Sequence, residues 1–217
     1  MAIAFVSSGL VNTTTASYTV GSGSDRLLVL YLVGGINTDT ISAVTYAGVS
    51  MTLIGKINAG ANRFVYLWYL LNPASGSNAF SITDGGNLNN GACSDFTGVL
   101  QSGQPDASGT NTGLVVTSIS KTLTTVADNC WLVGGCFISS GITLTAGADT
   151  TVRQQNGQNA ALFDSNAAKT PAGNHSLTMS MDPAATDAAI VAASFAPSGG
   201  APPGGGRIST LGLMGAG

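Results

Sequence analysis

Histidine, cysteine and carboxylate side chains carry most enzyme chemistry, and this sequence is sparing with all three. It has one histidine, His175, and three cysteines, Cys93, Cys130 and Cys136. A nucleophile needs an activating base, usually histidine. His175 lies in an alternating stretch beside a turn and reads as a polar strand-edge residue. The ten acidic residues are all aspartates. Two carboxylates at a set separation could hydrolyse a glycoside, and Asp and Asn oxygens suit calcium. Nearly all of these aspartates sit beside Gly, Ser, Thr, Asn or Pro, where Asp serves turns, and no Asp-x-Asp-x-Asp cluster occurs. In a strand, Cys130 and Cys136 would share a face but lie about 20 Å apart, too far to be bridged. With no Cys-x-x-Cys pair, buried free thiols are expected rather than a metal site. Gly34-Gly35 and Gly85-Gly86 are followed by no Lys-Ser/Thr and no helix, so they are not phosphate loops. No catalytic residue, metal or cofactor is expected, and the chain is read as not an enzyme. An enzyme with an unrecognised carboxylate site is the weakest of the readings considered.

One stretch could form a binding surface. Arg63 to Leu71 carries Phe64, Tyr66, Trp68 and Tyr69. Exposed on a sandwich, Tyr66, Trp68 and Tyr69 could stack on sugar rings. Phe64, Tyr66 and Trp68 share one strand face, however, and a core role outweighs the sugar platform.

The elements that would position these residues are strands. Hydrophobic residues make up 44% of the 217 positions and charged residues only 8%, far too apolar and uncharged for a disordered chain. Glu is absent while Thr, Val, Ser and Gly abound, which favours strands and turns over helices. The net charge of −3 and the lack of adjacent basic residues argue against nucleic acid as a partner. No apolar stretch reaches the roughly 18 residues of a membrane helix, and the N-terminus shows no secretory pattern. So uncharged a surface fits a protein packed against neighbours better than a free monomer.

Asp25 to Val33 is a continuous apolar run closed by Gly34-Gly35, as in a strand buried on both faces. Ile41 to Tyr46 and Val49 to Ile54 form a hairpin around Ala47-Gly48, with Val49, Met51 and Leu53 alternating with Ser50 and Thr52. Arg63 to Leu71 ends at Asn72-Pro73. Asn78 to Thr83 and Ala92 to Val99 complete a first set. After the polar, Gly-rich stretch Gln101 to Gly113 come Leu114 to Ile119, Thr122 to Val126, Asp128 to Gly135, Ile142 to Ala146 and Thr150 to Gln154. The second set echoes the first, with Asp128 for Asp25, Pro171 for Pro73 and Phe195 for Phe96, each about 100 positions on. The expected fold is all-β: a two-sheet antiparallel sandwich, jelly-roll-like, over residues 1–196. Its strands form a pseudo-repeat, with halves at about 20–100 and 113–196. The halves could be two small domains, or they could supply strands to one sandwich. The second is favoured because a single large core buries more of its surface.

Residues 197–217 differ. A Gly/Pro-rich linker runs to Arg207, followed by an apolar arm with Ile208, Leu211, Leu213 and Met214. Ordering each residue of such a linker costs about 1–2 kcal/mol. The arm is therefore expected to dock on another subunit, through its apolar side chains and backbone hydrogen bonds, as an inter-subunit anchor. Packing back on its own sandwich is the alternative.

The order of motifs, Asp25-Arg-Leu-Leu-Val29, Val44-Thr-Tyr-Ala-Gly48-Val-Ser-Met-Thr-Leu53, Val65-Tyr-Leu-Trp-Tyr-Leu-Leu-Asn-Pro73 and Asp95-Phe-Thr-Gly-Val99, resembles β-sandwich domains of bacteriophage virion proteins and related bacterial surface proteins. The resemblance covers roughly residues 20 to 197, and the arm from Arg207 also resembles the C-termini of phage structural proteins. These motifs are structural and imply no catalytic residues. The resemblance implies a virion component on the capsid surface, a decoration (cement) or head-fibre protein made in the host cytoplasm. Its partners would be itself, the major capsid protein, or both, with neither nucleic acid nor membrane. The alternative is a carbohydrate- or receptor-binding module of a tail fibre, whose partner would be a host surface glycan.

Overall fold

The structure, a computed structural model, describes residues 1–60, 63–139, 142–157 and 159–199. Among them are fifteen strands and no helix: β1 (Ala4–Leu10), β2 (Ser17–Val20), β3 (Leu27–Gly34), β4 (Ala43–Tyr46), β5 (Val49–Ser50), β6 (Thr52–Gly60), β7 (Arg63–Leu71), β8 (Gly76–Thr83), β9 (Leu88–Thr97), β10 (Ala107–Thr124), β11 (Trp131–Ile138), β12 (Thr143–Ala146), β13 (Thr151–Asn156), β14 (Ala160–Asp164) and β15 (Asn174–Phe195). All pairings are antiparallel. Sheet I has the order β1-β9-β3-β7-β6. Sheet II has β10-β15-β11-β14-β13, with β12 also on β15, and sheet III has β2-β8-β4-β5.

Sheets I and II pack face to face as the expected antiparallel sandwich. Their shared core holds Leu27, Val29, Tyr31 and Val33 of β3 against Trp131, Val133 and Phe137 of β11. The alternate residues of each strand face away into a second core. Leu28, Leu30 and Leu32 meet Tyr18, Val44, Tyr46 and Phe80 of sheet III. Leu132, Cys136 and Ile138 meet Leu144, Leu177 and Met179. Both strands are thus buried on both faces, as their unbroken apolar runs require.

The pseudo-repeat is visible in the strand order. In the first half the chain alternates between sheets I and III, so that β1-β9-β3-β7 faces β2-β8-β4-β5. This is the interleaving of two Greek keys in a jelly roll. The second half follows the same path with fewer breaks. Its long strands β10 and β15 each contribute to two layers. Ala107–Leu114 of β10 pairs with Asp187–Ser194 of β15, and Ser118–Thr124 pairs with Asn174–Ser180. Val115, at a φ of 53°, marks the bend in β10. Each half therefore has its own pair of layers, and the central core joins the two. The halves meet about an approximate two-fold axis: β3 lies over β11, β1 over β13, and β6 over β10 and β15.

Three expectations shift. The stretch Gln101 to Gly113 is no linker beyond Asp106, because Ala107–Gly113 begins β10. Its small polar side chains suit an edge strand, where one flank needs no apolar partner. Gly134-Gly135 does not close its strand as Gly34-Gly35 does; β11 runs on to Ile138. A Cβ on Gly135 would overlap the Tyr31 ring, whose hydroxyl donates to the Cys136 carbonyl at 2.5 Å. That glycine makes room where the sheets touch. Finally, Pro197 bridges to Val99 and the Ser198 N–H donates to the Gly98 carbonyl at 2.7 Å, so the sandwich holds the chain past residue 197.

Candidate functional site

The aromatic strand β7 turns its rings inward. Tyr66 and Trp68 are buried between sheets I and III. Tyr69 lies on the opposite face, packed against Phe195 with ring centroids 5.9 Å apart, and its hydroxyl donates to the Gln104 carbonyl. This corrects the sugar-platform alternative on Tyr66, Trp68 and Tyr69. The three side chains split between two cores because both faces of sheet I are covered. The expected core set of Leu28, Leu30, Tyr66, Trp68, Trp131 and Val133 is buried throughout.

Five of the carboxylates are held by structural hydrogen bonds. Asp95 Oδ1 accepts from Ser7 Oγ and Tyr18 OH, both at 2.7 Å, and Oδ2 accepts from Gly21 N at 2.8 Å. Burial, and donation to Asp95, push the Tyr18 hydroxyl well above the ordinary phenol range, so it stays a donor. Asp164, fully buried, receives Arg153 Nε at 2.7 Å and Asn166 N at 2.7 Å. The Arg153 guanidinium also lies 3.9 Å from the Phe5 ring centroid, a cation–π contact across the two halves. Asp106 Oδ2 accepts from Val126 N, Ser194 Oγ and Cys130 Sγ. Asp84 caps its own turn, accepting from Gly86 N at 2.9 Å and Leu88 N at 2.6 Å. Asp39 pairs with Lys56 and accepts from Tyr66 OH.

His175 bonds the Pro171 carbonyl through Nε2 at 2.8 Å. Cys93, Cys130 and Cys136 are free and buried. Desolvation pushes the thiols of Cys130 and Cys136 up to about 12, so at neutral pH they are protonated and poor nucleophiles. Among the described residues no three His, Cys or Asp side chains gather as a metal set, and no helix is long and apolar enough to cross a membrane. The inter-subunit anchor expected on Arg207, Ile208, Leu211, Leu213 and Met214 lies outside the described residues.

The sheet edges offer a candidate interaction surface. Strand β1 is the edge of sheet I and exposes Val6 (39%) and Leu10 (46%), beside Met1 (67%). Leu114 and Val115 stand out at the bend of β10, exposed by about three quarters of their surface, at 74% and 75%. Sequence reasoning missed β1, since its apolar run stops at Val6 and the alternation is broken by Ser7-Ser8. It also missed β2, whose signal was the short alternation Ser17-Tyr18-Thr19-Val20. Searches against protein-family models, curated proteins and solved structures found no match to this chain.

Proposed function

We propose that this chain is a structural protein of a bacteriophage virion, a capsid decoration (cement) or head-fibre protein that works through subunit–subunit contacts. The surface carries this reading. Ten acidic and seven basic residues serve the whole chain, and Asp39, Asp84, Asp95, Asp106, Asp149 and Asp164 are already engaged in turns, networks or ion pairs. Among the described residues the exposed surface is mostly Ser, Thr, Asn and Gly, with a few charges such as Asp39, Lys56 and Asp149 and with exposed Val6, Leu10, Leu114 and Val115. Backbone edges of this kind recognise other strands and extended segments. The virion setting comes from the sequence resemblance, and partners would be further copies of the chain, the major capsid protein, or both. The arm at residues 207–217 is the proposed anchor. Immunogold labelling of intact particles from producing cells tests the reading. Gold over capsids is expected. Gold confined to tails, with binding on a glycan array, would replace it with the receptor-binding alternative. Absence of gold from particles would overturn both.

A further inference from the structure

The free edges of this fold are unequally guarded. Edge strand β6 carries Lys56 and two register slips. Edge strand β13 carries Arg153 and one slip. The edge of β10 is crossed by its own side chains: Asn111 Nδ2 donates to the Ser120 carbonyl at 3.0 Å, and Lys121 lies over Gly109. Strands β2, β5 and β12 have four, two and four residues. Charges, bulges and shortness are the devices that keep edges from pairing. Strand β1 has seven residues, Ala-Phe-Val-Ser-Ser-Gly-Leu, with no charge and no proline, and its one slip lies near its start, between Phe5 and Ser7.

Its backbone is also open. The Val11 N–H donates to the Gly91 carbonyl at 2.9 Å, so Val11 faces β9. Alternation along the strand then turns the amides of Leu10 and Ser8 away from the sheet, where, among the described residues, no further strand follows in sheet I. The strand is held firmly from behind. Ser8 Oγ donates to the Arg153 carbonyl at 3.0 Å and accepts from Gln154 Nε2 at 3.2 Å, and Asn156 bonds Asn12. Nearby charges point inward, Asp95 to Tyr18 and Arg153 to Asp164. β1 itself carries no charged side chain that would select a partner of opposite charge.

We propose that β1 pairs antiparallel with β1 of a second copy, about a two-fold axis beside Ser8, joining the two five-stranded sheets into one. An antiparallel edge is self-complementary about a two-fold axis. The pairing satisfies the outward amides and covers Val6 and Leu10, and a pre-held strand loses little freedom in making it. It does not rest on the virion reading, because the purified chain alone is expected to dimerise.

The test is sedimentation of the full chain, with Val6→Lys and Leu10→Lys as variants. Both positions are exposed, so melting curves should match the parent. The full chain is expected to be a dimer at micromolar concentration. Each lysine places like charges across the axis and should weaken the dimer at least about tenfold. In the parent, the Ser8 and Leu10 amides should be protected from hydrogen exchange in the dimer and lose protection on dilution. A monomeric full chain, a dimer indifferent to both lysines, or unprotected Ser8 and Leu10 amides would overturn the proposal. So would a dimer that disappears when the chain ends at Gly199, since that assigns the contact to the tail.

Discussion

Trp68 shows how a residue that could bind becomes one that holds. On β7 it pairs with Leu30 of β3 and Leu53 of β6, and at 5% exposure its ring fills the space between sheets I and III. Trp68→Ala is expected to cost about 3–5 kcal/mol in urea denaturation, the range for deleting a packed aromatic. A loss below about 1 kcal/mol would mean the site is not a tight core. Asp84 makes a similar point for charge. Burial opposes its ionisation, but the N–H groups of Gly86 and Leu88 outweigh that and hold the carboxyl below its usual range. A depressed carboxyl stabilises the fold above its unfolded value and loses that contribution as pH falls through the folded one. The turn at residues 84–88 should therefore stay closed at neutral pH and open on strong acidification, while Asp84→Asn should flatten that acid limb. Amide shifts of Gly86 and Leu88 followed through an acid titration would check this.

Among the strands, β3 and β11 decide the architecture because neither has a wet face. Their contact is close enough that Gly135 must lack a side chain beside Tyr31. Gly135→Ala should destabilise by about 1–3 kcal/mol, as overpacking does, and Tyr31→Leu in the same chain should recover part of the loss. If Gly135→Ala melts like the parent, the two sheets are not locked by that contact. The apolar run of β3 was legible, since Leu27–Val33 is of strand length, has no polar alternation and is closed by Gly34-Gly35, as in a strand buried on both faces. The course of β10 was not. Its residues Ala-Ser-Gly-Thr-Asn-Thr-Gly have the composition of a loop, and they are a strand because β15 supplies the hydrogen bonds. Local propensity yields to pairing of this kind at edge positions.

For the molecule as a whole, the close of the sandwich bears on how it would assemble. Ser198 bonds Gly98, and the Met1 amino group bonds the Ser198 carbonyl. The chain therefore leaves the described fold beside its own N-terminus and the start of β1. A chain ending at Gly199 keeps these bonds and should melt at the parent temperature. On the anchor reading it should fail to join particles in a reassembly assay. A truncated chain that still assembles would rule out the residues around Leu211 and Met214 as the anchor. A chain that no longer folds would show that the arm belongs to the sandwich.

The sequence by itself determined that this protein is all-β, that its strands repeat, and that Leu28, Leu30, Trp68, Trp131 and Val133 are core. These follow from side-chain period and type, which each strand carries locally. Only the tertiary structure decided that each half has two layers of its own, that the halves share a third core about a pseudo-two-fold axis, and that Tyr66 and Trp68 leave no aromatic platform. It also decided which edge stays open among the described residues. A strand's sequence tells which of its residues want burial, but whether one flank of its backbone meets another strand is settled by the distant segments that pack around it.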